Sequence, residues 1–169
     1  MSINVYTDGS CMPNPGFGGW AYTFIDSSNR CDLWFSHYGR SNEKKTTNNK
    51  MEMQALIEFL KDAATGERYI IHSDSGYTLG GLIKGGKSGN LIKPGKYTGW
   101  MQGWKRGGWE KPAKNKELWK QLDRECKRHV RDGSELCFQW VKAHNGDEGN
   151  EYVDKLAKKG AMRAKRKFK

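Results

Sequence analysis

Alternation opens the chain. Ile3, Val5 and Thr7 fall on one side and Asn4, Tyr6 and Asp8 on the other. That period-two pattern predicts a half-buried strand ending at Asp8-Gly9. MPNPGFGG, dense in proline, glycine and asparagine, predicts a turn. GWAYTFID and DLWFSHYG predict two more strands, joined by a hairpin turn at Ser27-Ser28-Asn29. The period then changes. Met53, Leu56, Ile57 and Leu60 form one helical stripe, preceded by the N-cap candidates Thr46, Thr47, Asn48 and Asn49. This helix is expected to stop near Thr65-Gly66.

RYIIHSD predicts a short buried strand ending at Asp74, and SGYTLGGLI a helical turn after it. KGGKSGNLIKPGKYTG, rich in glycine and lysine, reads as a loop or insertion. KNKELWKQLDRECKRHV predicts a helix whose basic last turn suits a helix C-terminus. ELCFQWVKAH predicts a strand. EGNEYVDKLAKKGAM predicts a helix with Tyr152, Val153, Leu156 and Gly160 inward. The order β-β-β-α-β-α-α-β-α predicts one α/β domain. Its first three strands should pair antiparallel, and the later ones should add in parallel.

Composition narrows the function. In 169 residues, hydrophobic types make up 36%, and mean hydropathy is −0.91. No apolar run approaches the roughly 18 residues of a membrane span. MSINVYTDGS has neither a basic nor an apolar leader region, so no secretory signal is expected. Cys11, Cys31, Cys126 and Cys137 lack metal-site spacing. Reduced thiols in a cytoplasmic monomer are the expectation.

The net charge of +11 calls for an anionic partner, nucleic acid ahead of a membrane surface. Between Gly81 and Arg131 there are fourteen basic residues against four acidic ones, and from Lys155 to Lys169 eight against none. Of the carboxylates that matter, Asp8, Glu52 and Asp74 sit apart from these flanks. Asp8 and Asp74 end strands, Glu52 lies in the first turn of a helix, and Asp154 lies in the last helix. Each has a plain structural reading as a turn, cap or helix-dipole residue. Together they ask for a divalent cation, since clustered carboxylates destabilise one another. Oxygen-only ligands suit Mg²⁺ or Mn²⁺.

YTDGSCMPNPGFGGW, TTNNKMEMQAL, HSDSGY and VKAHNGDEGNEYVDKLA resemble, in order, the four signature segments of type 1 ribonuclease H. KPAKNKELW resembles the segment ahead of that family's fourth helix. The resemblance covers nearly the whole chain. It implies a ribonuclease H-like α/β fold, a five-stranded mixed sheet flanked by helices. The implied catalytic domain spans 1–160, with an insertion at about 82–99, a basic protrusion at about 100–116 and a basic tail at 161–169. It implies an endonuclease that cuts the RNA strand of RNA–DNA hybrids, with Asp8, Glu52, Asp74 and Asp154 as metal ligands and His144 assisting proton transfer or product release. Two metals about 4 Å apart would activate water and stabilise the leaving 3′ oxygen. In-line attack would leave 5′-phosphate and 3′-hydroxyl ends.

The same resemblance assigns substrate contacts. Asn14, Asn48 and Asn49 match residues that meet the hybrid in its minor groove, where the 2′-hydroxyl marks RNA. Thr47 and Asn115 match a pocket for a DNA-strand phosphate. Gly76 stands where the family often has glutamine. WMQGWKRGGW, with Trp100, Trp104, Lys105 and Arg106, matches the basic protrusion. Read from its residues alone, this segment is equally a side helix anchored to the core, because Trp100 and Trp104 share a helical face. Two rivals use the same residues: a retroviral- or transposase-type nuclease, and a nucleic-acid-binding module without activity.

Overall fold

A computed structural model describes residues 2–29 and 31–169. The opening alternation forms β1 (Ser2–Met12). It runs on past Asp8-Gly9 because Gly9–Met12 pair with Phe17–Trp20 of β2 (Phe17–Asn29). β3 (Cys31–Arg40) pairs back on β2. The expected turn at Ser27-Ser28-Asn29 is instead the end of β2, where Asn29 meets Cys31 after a shift in register. Residue 30 lies outside the described residues.

α1 (Asn48–Asp62) starts where the cap candidates stand, with Thr47 Oγ1 accepting from the Lys50 amide at 3.3 Å. β4 (Arg68–Ser73), α2 (Gly76–Leu82), β5 (Ser88–Leu91), α3 (Met101–Arg106), α4 (Lys116–Arg131), β6 (Glu135–Trp140) and α5 (Glu148–Phe168) follow.

The strands form one sheet in the order β3-β2-β1-β4-β6-β5. β1, β4 and β6 are parallel to one another; the rest pair antiparallel. The sheet therefore has six described strands rather than five. The sixth comes from inside the insertion, where Leu91 buries itself and β5 covers the outer edge of β6. An open edge is a pairing liability, and a short strand removes it. The insertion is fastened again at Lys87: its carbonyl accepts from the Trp140 amide at 2.7 Å, and its ammonium lies 3.5 Å above the Trp140 ring.

Helices cover both faces. α1 and α4 pack over a core that includes Val5, Leu56, Phe59, Ile71, Leu79 and Trp119. α5 covers the other face through Val153, Leu156 and Ala157 on Ala21. Tyr152, expected inward, is exposed and meets Trp34 edge-on. Residues 161–168, expected as a tail, continue α5, with Ala161 and Ala164 buried.

Two glycine contacts set how closely these helices approach. A Cβ on Gly160 would lie 2.1 Å from the Gly39 carbonyl oxygen, so only glycine lets α5 rest on the β2–β3 pair here. A Cβ on Gly9 would lie 2.3 Å from the Glu52 amide nitrogen. The bare backbone at Gly9 brings α1 against β1 and carries Glu52 to the side of Asp8.

Candidate active site

The site forms where two parallel strands part. Pairing of β1 with β4 ends at Tyr6–His72. Asp8 and Asp74 each stand two residues further along. Such a parting, at the carboxyl ends of parallel strands, is where an α/β sheet leaves its ligand crevice. Glu52 enters from α1 and Asp154 from α5. All four carboxylates line one cleft, together with Asn48, Asn49, Tyr77 and Lys158.

Asp8, Glu52 and Asp74 bring ligand oxygens within 4.8 Å of one another. Asp154 stands at the same cleft outside this trio and pairs with Lys158 at 2.9 Å. Burial, then the negative charge of Asp74, pushes the Asp8 carboxyl up to about 8. Burial and the charges of Asp8 and Asp74 hold Glu52 well above the usual carboxylate range. Asp74 is raised by burial and by Asp154, while Asn150 and His144 pull the other way. Glu52 is half-buried as a residue, yet its Oε2 is sealed and has no hydrogen-bond partner among the described residues. An orphaned carboxylate oxygen beside two more carboxylates fits a hard divalent cation.

The cluster makes stability depend on pH and metal. The metal-free fold holds protons that the unfolded chain releases above the ordinary carboxylate pKa. Its stability therefore falls as pH rises from about 4 to about 8. Each proton that the fold keeps and the unfolded chain has lost costs roughly 1.4 kcal/mol for every pH unit climbed. Asp8→Asn is expected to raise the metal-free melting temperature at pH 8.5 by about 4 °C or more, with little change at pH 4. Mg²⁺ should stabilise the wild type more than the variant. Melting curves at the two pH values, with and without Mg²⁺, check this.

The other expected residues spread around the cleft. Asn14 Oδ1 accepts from the Asn48 amide at 3.2 Å. Asn14, Thr47, Asn49, Lys50, Lys114 and Asn115 surround a neighbouring pocket at the α1 N-terminus. Asn115 precedes α4 in a left-handed conformation, with φ of 60°, and its side-chain amide donates to the Tyr77 hydroxyl at 3.0 Å. His144 is exposed in the loop before α5, also with positive φ, at 55°.

WMQGWKRGGW divides between its two readings. Trp104 is half-buried edge-on against Trp119, with ring centroids 5.1 Å apart. Lys105 turns inward, its ammonium 3.1 Å from the buried Asp123. Trp100 is 52% exposed and Arg106 is exposed. Half the segment is packing, and of the four expected contact residues only Trp100 and Arg106 face outward.

Lys158 and Asn150 do not stand out in the sequence as site residues. Both lie four residues from Asp154 on one helix, so that spacing alone places them on its face.

An acidic cleft with a basic surround, on a mixed sheet flanked by helices, defines a nuclease of the ribonuclease H-like class. The ribonuclease H family model matches residues 1–162. A ribonuclease H of Saccharopolyspora erythraea is 40% identical over 98% of this chain and 94% of its own length. Among solved structures, LC9-RNase H1, a type 1 RNase H with the type 2 active-site motif, superposes with a TM-score of 0.75 at 23% identity, over 96% of this chain and 73% of the other. LC11-RNase H1, solved in complex with RNA/DNA hybrid, gives 0.62 at 20% identity, over 96% and 98%. The chain belongs to the type 1 ribonuclease H family, enzymes that cleave the RNA strand of RNA–DNA hybrids.

Proposed function

We propose that this chain is an endonuclease acting on the RNA strand of RNA–DNA hybrids by in-line attack of water with two Mg²⁺ ions, or Mn²⁺ in their place, giving 5′-phosphate and 3′-hydroxyl ends. The observation that carries this reading is the trio Asp8, Glu52 and Asp74, with ligand oxygens within 4.8 Å of one another and Glu52 Oε2 sealed without a hydrogen-bond partner among the described residues. Asp154, at the same cleft, completes the ligand set. Asp8, Glu52, Asp74 and Asp154 would hold the divalent ions, which would supply Lewis-acid activation of the attacking water and neutralise charge at the leaving oxygen.

The chain's own residues do the rest. Gly9 and Gly160 hold Glu52 and Asp154 at fixed depth, so the carboxylates are organised before substrate arrives. His144, exposed and close enough to lower the Asp74 pKa, relays a proton or releases product. Asn14, Asn48 and Asn49 line the approach from which 2′-hydroxyls are read. The pocket with Thr47 and Asn115 sits at a helix N-terminus, which favours a phosphate. Trp100 and Arg106 meet the DNA strand, and Trp104 and Lys105 hold them in position. The hybrid bound by LC11-RNase H1 supports this substrate class.

Labelled hybrid, single-stranded RNA and duplex DNA, each incubated with Mg²⁺, test the substrate. Only the RNA of the hybrid should be cut; cutting of duplex DNA at a comparable rate would instead support a transposase-type nuclease. The protrusion gives a separate expectation. Arg106→Ala should raise KM, spare kcat and leave melting unchanged, as loss of uniform binding does. Lys105→Ala should lower the melting temperature, because it strips a buried carboxylate of a partner. Steady-state kinetics and melting on both variants separate grip from packing.

A further inference from the structure

The basic end of α5 is not used by the site described above, yet it begins there. Lys158 lines the cleft and pairs with Asp154. At about 100° per residue, Lys165 and Lys169 fall with Asp154 and Lys158 inside one sector of roughly 60°. Both are exposed. The arc of the helix beside this row is closed by Val153, Leu156, Ala157, Gly160, Ala161 and Ala164. With a rise of about 1.5 Å per residue, the row extends roughly 16 Å beyond Asp154 at Lys165 and about 22 Å at Lys169. No acidic residue interrupts α5 after Asp154. The helix end is fixed on the sheet, since the Arg40 guanidinium lies 5.5 Å from the Phe168 ring centroid.

We propose that Lys165 and Lys169 form a phosphate-binding rail that extends nucleic-acid contact outward from the cleft along α5. This rests on the hybrid-cleaving reading and adds a second, remote grip to it. A cation row that starts at a cleft residue and leads away from it is complementary to a phosphate backbone that runs out of the cleft over α5. A row of about 22 Å spans roughly six base pairs at 3.4 Å each. The rail therefore engages long hybrids and leaves short ones untouched. A basic last turn also suits the helix dipole, but that benefit does not depend on which side a cation occupies, whereas of the cations after Lys158 only Lys165 and Lys169 continue the line of Asp154 and Lys158.

The test compares two double variants of equal charge. Lys165→Gln with Lys169→Gln removes the rail; Lys159→Gln with Lys167→Gln removes two exposed charges from other sides of the same helix. Each is measured on a hybrid that barely fills the cleft and on one extended by at least about ten base pairs on both sides. The rail variant should bind the long hybrid roughly tenfold more weakly at low salt and flatten the slope of log K against log salt by about two units. Its kcat, and its KM on the short hybrid, should stay at wild-type values. The control variant should show a much smaller loss on the long hybrid. Equal losses in both double variants, or none in either, would overturn the rail. So would an unchanged long-hybrid affinity with lost binding to anionic lipid vesicles, which would mark a membrane-facing row. If no hybrid of any length is cut by the wild type, the hybrid-cleaving reading fails instead, and the binding data still report on the rail.

Discussion

Replacing Asp8 or Asp74 by asparagine is expected to abolish turnover, by roughly 10³-fold or more, or about 4 kcal/mol in the barrier, while hybrid binding is kept or tightened. The substitution preserves shape and removes one charge. Asp8 and Asp74 face each other and Glu52 in a space of 4.8 Å, so the loss of one carboxylate weakens cation binding most where ligands are fewest. The same loss removes a negative charge that repels the phosphate backbone. Opposed effects on affinity and rate are therefore expected from a single atom exchange. Binding by fluorescence anisotropy beside single-turnover cutting checks the pair. Near wild-type turnover in either variant would remove that residue from the ligand set.

Chelation is the second large effect. Excess chelator should stop hybrid cutting, and Mg²⁺ or Mn²⁺ should restore it in full. The cause lies in the protein's own electrostatics. At neutral pH the metal-free cleft keeps protons on carboxylates whose pKa values burial and mutual repulsion have raised. A proton occupies the lone pairs that would otherwise take a cation. The metal requirement should therefore ease as pH rises, with the Mg²⁺ concentration for half-maximal rate falling between about pH 6 and pH 8. Robust cutting in excess chelator would defeat the metal assignment.

The acids were legible because they sit where local pattern changes. Asp8 closes a period-two run, Asp74 a short apolar run, and Glu52 follows a group of N-cap residues, so the strands and the helix that carry them could be recognised from neighbours alone. What lay hidden depends on distant partners. β5 is four residues long with one buried apolar side chain, and it exists because β6 offers an edge. β1 overruns its expected end because the glycines of the following segment pair rather than turn. Lys105 and Arg106 are adjacent and chemically alike, yet a carboxylate eighteen residues downstream draws in only the first. Tyr152 has the chemistry of an inward residue but lies one step off the buried arc of α5, beside Val153.

Asp123 has a consequence for how this chain can change. Its carboxylate accepts from the Tyr97 hydroxyl at 2.5 Å and pairs with Lys105 at 3.1 Å and Lys127 at 3.6 Å. One buried acid on α4 thus ties down the segment after β5 and the short α3. Neither can be trimmed alone. Deleting the stretch that carries Tyr97 leaves a desolvated carboxylate short of a donor, and grafting α3 onto a relative without an acid there leaves an ammonium facing nothing. For a designer, or for drift in a lineage, residues 88–106 and Asp123 are inherited as a block. Intermediates that hold only one part leave Asp123 with Lys127 but short of one of its other partners, and are destabilised. A chimera that exchanges the whole block should melt at a higher temperature than one that exchanges half of it.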